Sequence, residues 1–214
     1  MNIFIMGAPG SGKGTFSSRI KEEFNLNHSS TGDIVRENSS KGTPLGLKAK
    51  EYTESGRLVP DEVTNAMVAD YLKNLPDQKN GYLLDGYPRT LDQAKAFEEM
   101  TNGTDQAVNL ILSMDVPTEV LTKRITGRRT CKNCGEIFNI YYKAPAQEGI
   151  CDHCGSPLSQ RKDDNEESLK TRLDEYFKNT APVIAHYEDL GMVTHINADQ
   201  EMDAIWPLIK EAIQ

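Results

Sequence analysis

The residues best suited to chemistry open the chain. Gly7-Ala8-Pro9-Gly10-Ser11-Gly12-Lys13-Gly14-Thr15 nearly fits the pattern G-x-x-x-x-G-K-[ST]. Its glycines permit positive φ, so successive backbone N–H groups can turn inward around an anion. A helix beginning near Lys13 would aim its N-terminal dipole at the same anion. Lys13 would then reach the outer phosphates of a nucleotide. One departure matters: Gly14 stands where the pattern has a hydroxyl, which comes one place later at Thr15. The competing reading is a glycine turn with no ligand.

Asp85 closes the apolar run Gly81-Tyr82-Leu83-Leu84. A carboxylate at such a strand end is where phosphate-loop proteins hold Mg²⁺, usually through water. Four cysteines, Cys131, Cys134, Cys151 and Cys154, form two C-x-x-C pairs sixteen residues apart. That spacing is a zinc pattern, and glycines after each pair permit tight knuckle turns. Four thiolates would close a tetrahedral site, so the metal is expected to be structural. Substitution by His153, iron in place of zinc, and a disulfide remain alternatives on spacing alone.

The elements that must carry these groups alternate. Apolar runs at 2–6, 82–84, 108–114 and 193–196 read as strands. Helical spacing recurs at 13–24, 61–75, 90–100, 117–126, 166–190 (interrupted near Pro182) and 201–213. Such alternation predicts a doubly wound α/β fold, a parallel sheet with helices on both faces. Two stretches break the rhythm. Residues 30–59 are polar and helix-prone, and 127–164 hold every cysteine; both read as insertions beside the ligand-binding edge of the sheet.

Composition narrows the partners. The 214 residues carry a formal net charge of −8, which opposes general affinity for nucleic-acid backbones or anionic membranes. The opening apolar run is short, lacks a basic leader and meets glycines at once, so neither a secretory leader nor a membrane span is expected. Crowded cysteines without an export signal point to a cytoplasmic protein.

Five motifs, in order, bring in a resemblance. They are Gly12-Lys13-Gly14-Thr15; Ser30-Thr31-Gly32-Asp33 with Arg36; Asp85-Gly86-Tyr87-Pro88-Arg89-Thr90 with Gln93; Thr126-Gly127-Arg128-Arg129; and Arg161-Lys162-Asp163-Asp164 with Arg172. Together they resemble the adenylate kinases, nucleoside-monophosphate kinases of the long bacterial type with a metal-bearing lid. The resemblance implies a P-loop core of residues 1–29, 60–126 and 165–214, a helical AMP-binding insertion at 30–59 and a zinc-binding lid at 127–164. It implies that Gly10, Ser11, Gly12, Lys13, Gly14 and Thr15 hold the ATP phosphates. Ile137, Phe138 and Gln200 would contact ATP as well. Thr31, Arg36, Arg57, Leu58 and Val59 would hold AMP. Gly86, Tyr87, Pro88 and Arg89 would position its phosphate, and Gln93 would read its adenine edge. Arg128, Arg161 and Arg172 would enclose the reacting phosphates, with Arg124 an extra. Lys13, Arg89, Arg128, Arg161 and Arg172 would be the catalytic set. The cofactors implied are Mg²⁺ with the nucleotide, near Asp85, and structural Zn²⁺. The partners are ATP, AMP and ADP, and the chain is expected to be a monomer.

The implied reaction transfers a phosphoryl group between nucleotides. The attacking oxygen belongs to a phosphate that is already ionised, so no general base is needed. Cations that align donor and acceptor and spread the transferring charge are needed, and so is exclusion of water. Taken without their motifs, Arg36, Arg57 and Arg124 read rather as solvated charges on helices, whereas Arg89 is set apart by following a Gly-Tyr-Pro turn just past Asp85. Asp163 and Asp164 read either as lid-closing partners or as an acidic pair at a helix start. Rival functions are a kinase for UMP, CMP or GMP, a P-loop GTPase or motor ATPase, and a zinc-ribbon nucleic-acid module. No N-K-x-D guanine motif occurs, and the acidic balance opposes the last.

Overall fold

The computed structural model describes the chain apart from residues 33, 34, 36–39, 41, 44, 45, 48, 51, 53–57, 76 and 77. Arg36 and Arg57 therefore lie outside the described residues.

Strand β1 (Asn2–Met6) is buried at every position. Its side chains alternate between two cores, Phe4 and Met6 in one and Ile3 and Ile5 in the other. An apolar run without polar alternation thus marks a strand covered on both faces. It pairs in parallel with β3 (Tyr82–Asp85) on one side and β4 (Leu110–Asp115) on the other. The edges are β2 (Asn27–Ser30) and β8 (Val193–Asn197), giving the order β2-β3-β1-β4-β8. The chain winds from β1 out to one edge and back, then crosses to the other. The switch point falls between β1 and β3, where α/β sheets bind ligands.

Helix α1 (Lys13–Phe24) buries Phe16 and Ile20 against one face of the sheet. It ends at Asn25, whose left-handed φ of 52° suits asparagine. On that face α7 (Met202–Ile213) contributes Ile205, Trp206, Ile209 and Ile213, spaced for a helical stripe. The other face is covered by α2 (Asp61–Lys73), α3 (Leu91–Thr101) and α6 (Ala181–Asp189). There Phe97 of α3 packs edge-on against Phe4 at 4.9 Å.

Three local features depart from expectation. Strand β2 has the sequence Asn-His-Ser-Ser, with no apolar signal. Its register comes from neighbours: the Asn27 N–H and side-chain amide both donate to the Gly81 carbonyl, at 3.1 and 2.7 Å. The helix from residue 166 is not broken near Pro182. Helix α5 (Glu166–Glu175) passes through one wide π turn, Tyr176–Thr180, directly into α6. Proline lacks the N–H for an ordinary i to i−4 bond, and the helix absorbs that loss by widening. Third, α4 (Thr118–Thr126) leads into a small antiparallel sheet before α5. Its strands β5 (Arg128–Cys131), β6 (Ile137–Asn139) and β7 (Leu158–Ser159) lie in the order β6-β5-β7. Among the described residues no helix is long and apolar enough to cross a membrane.

Edge strand β8 is tied in by His195. Its Nδ1 lies 2.7 Å from an Asp115 carboxylate oxygen, and its Nε2 lies 2.6 Å from Glu188 of α6. The hydrogen bond to Asp115, with help from Glu188, raises its pKa above 6.5. A raised histidine pKa adds stability that is complete below the unfolded value and fades as pH rises through the folded one. All three side chains are about half exposed, so screening limits the gain to under about 1 kcal/mol. His195→Gln should melt lower than the parent at pH 5.5, and the gap should close by pH 8.5 in parallel thermal scans.

Candidate active site

The glycine loop leaves β1 at the sheet's C-terminal edge. Gly7 has a φ of +141°, and an added Cβ there would sit 2.6 Å from the Met114 carbonyl. Only glycine lets the loop pass β4 this closely. Gly12, with a φ of 93°, turns the chain into α1. The Lys13 ammonium folds back into the loop and donates to the carbonyls of Gly7 and Ala8, at 2.6 and 2.9 Å. Burial lowers its pKa to about 8; Asp85 opposes this, and Arg89, Arg172 and Arg128 add to it. The same cluster acts on Arg172. Burial brings it down to about 10, Asp163 opposes, and Arg128 and Arg89 add. Lys13, Arg89, Arg128 and Arg172 all line one space.

That space is a cleft of about 790 Å³. Gly10, Gly12, Lys13, Gly14 and Thr15 line one wall. Asp85, Gly86, Pro88, Arg89 and Leu58 form another. The small sheet brings Arg128, Ile137 and Phe138, the turn after it Arg161, and α5 Arg172. At one end stand Arg124 and Gln200, where Arg124 also donates to the Ala198 carbonyl at 3.0 Å. A Cβ on Gly14 would meet Ile137 at 3.7 Å and an Asp85 oxygen at 4.0 Å. These are ordinary contacts, so the glycine that displaces the hydroxyl lies between β6 and the acid without space demanding it.

Other expected site residues lie beneath the cleft wall. Ser11 is buried under the loop. Thr31 donates to the Gly86 carbonyl at 2.8 Å and is buried. Tyr87 is a core residue whose hydroxyl donates to Asn65 at 2.9 Å. Val59 is half-buried outside the lining. Gln93 is buried too: its side-chain oxygen accepts from the Arg89 N–H and its amide group donates to Asp61, both at 2.7 Å.

Arg89 is held from several sides. Its Nε donates to the Gly86 carbonyl at 2.7 Å, and its own carbonyl accepts from Thr180 at 3.0 Å. Asp163 and Asp164 both pair with arginines. Arg172 reaches Asp163 at 3.1 Å. Arg128 grips the buried Asp164 with two donors, its Nε at 2.9 Å and its Nη2 in a closer contact. The cap of α5 is Asn165, which accepts from the Ser168 N–H, so the aspartates are free of that task. Sequence reading missed Glu175, Tyr176 and Thr180, which the π turn brings to the cleft, and missed Asp61.

The cysteine knuckles are built alike. Gly135 N–H donates to Cys131 and Gly155 N–H to Cys151, at 3.0 and 2.8 Å. Both glycines have positive φ, 81° and 70°. The sulfurs of Cys131 and Cys154 are 3.4 Å apart, and those of Cys134 and Cys151 are 3.6 Å apart. All four lie within 4.8 Å of one another. A tetrahedron of zinc–sulfur bonds has edges of about 3.8 Å, so the group fits a metal and excludes disulfides at about 2.05 Å. His153 is exposed and outside the group.

A glycine loop at the switch point, an acid on the neighbouring strand and arginines from two further elements define a P-loop phosphotransferase. The profile of the family described as adenylate kinase matches residues 5–192. The adenylate kinase of Symbiobacterium thermophilum is 46% identical over 214 residues, covering 100% of this chain and 99% of that protein. Those of Bacillus licheniformis and Archaeoglobus fulgidus are 44% and 41% identical, each covering 100% of this chain and 98% of the relative. The chain belongs to the adenylate kinase family.

Proposed function

We propose that the protein transfers the terminal phosphoryl group of ATP to AMP, reversibly, giving two ADP. The observation that carries this reading is the convergence of Lys13, Arg89, Arg128 and Arg172 on one cleft, beside the glycine loop and Asp85. Four cations in one cleft repel each other, and a polyanion between them removes that cost.

The core is residues 1–29, 60–126 and 165–214, the acceptor insertion 30–59 and the lid 127–164. Loop N–H groups from Gly10 to Thr15 and the Lys13 ammonium hold the ATP phosphates. Lys13 exchanges loop carbonyls for phosphate oxygens as it does so. Arg124 and Gln200 flank the ATP base, with Ile137 and Phe138 over it. Arg89 fixes the AMP phosphate, supported by Thr31, Arg36 and Arg57. Arg128, Arg161 and Arg172 cover the transferring group and exclude water. Asp85, with the Thr15 hydroxyl in the same lining, would hold Mg²⁺, which would supply neutralisation of phosphate charge. The buried acid at the loop's mouth suits a hard cation.

Zinc is the metal we assign to the four thiols. Hydrogen bonds from Ser156 and Asn133 draw the Cys154 thiol down, while, against a backbone hydrogen bond at Glu136, desolvation and contact with the other three sulfurs push the Cys134 thiol up, so the four sulfurs act as one coupled group. It staples a lid whose own core is only Cys131, Phe138 and Cys151 with their neighbours. We place the protein in the cytoplasm as a monomer, without nucleic-acid or membrane partners. The test is an ADP-formation assay of ATP with AMP, UMP, CMP and GMP on protein whose zinc has been counted. AMP should be preferred and one zinc found per chain. Slow ATP hydrolysis indifferent to acceptor would refute the reading.

A further inference from the structure

Asp61 is the first residue of α2, where the chain returns from the acceptor insertion to the core. An acid in a helix's first turn ordinarily faces solvent and the dipole. This one is half-buried, and both its oxygens are in use. One accepts from the Thr90 hydroxyl at 2.7 Å, and the other accepts from the Gln93 side-chain amide at 2.7 Å. Thr90 in turn caps α3, accepting from the Gln93 N–H at 3.1 Å.

The consequence lies in the Gln93 amide. A free amide can rotate end for end and offer either polarity. Here its two ends face partners of fixed and opposite kinds. The Arg89 N–H can only donate, so the atom 2.7 Å away must be the oxygen. The Asp61 carboxylate can only accept, so the atom 2.7 Å away must be the NH₂. The polarity of Gln93 is thus dictated by its neighbours. Each end keeps capacity to spare: one N–H on nitrogen and one lone pair on oxygen.

Those two remaining valences form a donor beside an acceptor. Adenine offers the complement, an N6 amino donor beside a ring-nitrogen acceptor. Hypoxanthine and guanine carry the reverse, an O6 acceptor beside an N1–H donor. We propose that Asp61 is a specificity-determining positioning residue: acting with the Arg89 N–H at the other end, it locks the amide of Gln93 in one orientation, so that the acceptor site accepts a 6-amino purine and rejects a 6-oxo purine. This rests on the reading of Gln93 as the base contact. Asp61 need not touch the nucleotide, and its effect falls on base choice, not on phosphoryl chemistry.

The test compares AMP with IMP, which differ at the 6-position and the adjacent N1–H. Asp61→Ala removes the acceptor. Asp61→Ser keeps a polar group in the helix's first turn but is too short to bridge Thr90 and Gln93. In both, the AMP-over-IMP ratio of kcat/KM should fall about tenfold or more, through the acceptor KM, while the KM for ATP stays put. Gln93→Leu should abolish the same discrimination. If the ratio is unchanged in either folded Asp61 variant while Gln93→Leu lowers it, the role of Asp61 is overturned. If Gln93→Leu also leaves the ratio unchanged, the assignment of Gln93 to the base falls, and the proposal with it.

Discussion

Lys13→Ala should cut turnover by roughly 10³-fold or more and leave the fold intact. The ammonium is folded into the glycine loop, where it bonds the Gly7 and Ala8 carbonyls. Its loss would leave the arginines alone to balance the phosphate charge. Stability should move the other way. A lysine whose pKa falls from 10.5 to about 8 is costly to bury charged. That cost is full below pH 8 and vanishes as pH rises toward the unfolded value. At pH 7 the variant should therefore melt no lower than the parent. In the parent, kcat/KM for ATP should decline above about pH 8 as the free enzyme loses this proton. Normal turnover in a folded Lys13→Ala protein would remove the ammonium from the chemistry.

Cys131→Ala should strip the metal and lower the melting temperature by about 10 °C, the size expected for several kcal/mol lost in a chain this long. Cys131 is buried, and its backbone joins β5 to both β6 and β7 through the knuckle and the sheet. Without the metal, three short strands and a core of a few side chains must hold themselves together. Assayed well below the transition, turnover should fall far less than in Lys13→Ala. Metal analysis and calorimetry on the same sample make the check. An unchanged melting point would mean that the thiols fasten nothing.

Much of this was legible in the residues. Strands β1 and β3 announce themselves through uninterrupted apolar runs, and the helices of the core through their spacing. The cysteine spacing foretold a group of sulfurs that the fold does assemble. Three things were opaque, each for a physical reason. Strand β2 is polar because it sits at an edge, and its pairing is decided by Gly81 and β3. The fate of the helix at Pro182 depends on packing: proline shows that a hydrogen bond must be lost but not whether the helix breaks or widens. Asp61 looks like any acid after a proline, because its partners Thr90 and Gln93 lie about thirty residues on. Among arginines, Arg89 stood out through its motif. The pairing of Arg128 with Asp164 needed two elements that only tertiary folding brings together.

The π turn between α5 and α6 has a geometric effect beyond accommodating Pro182. In a regular helix, Arg172 and Thr180 would point roughly 80° apart around the axis. One surplus residue in the wide turn cancels about a full step of that rotation and brings both to nearly one bearing. A single rod thereby presents a guanidinium to Asp163 and a hydroxyl to the backbone of Arg89. Shortening this rod by one residue would straighten it and throw the two groups out of phase.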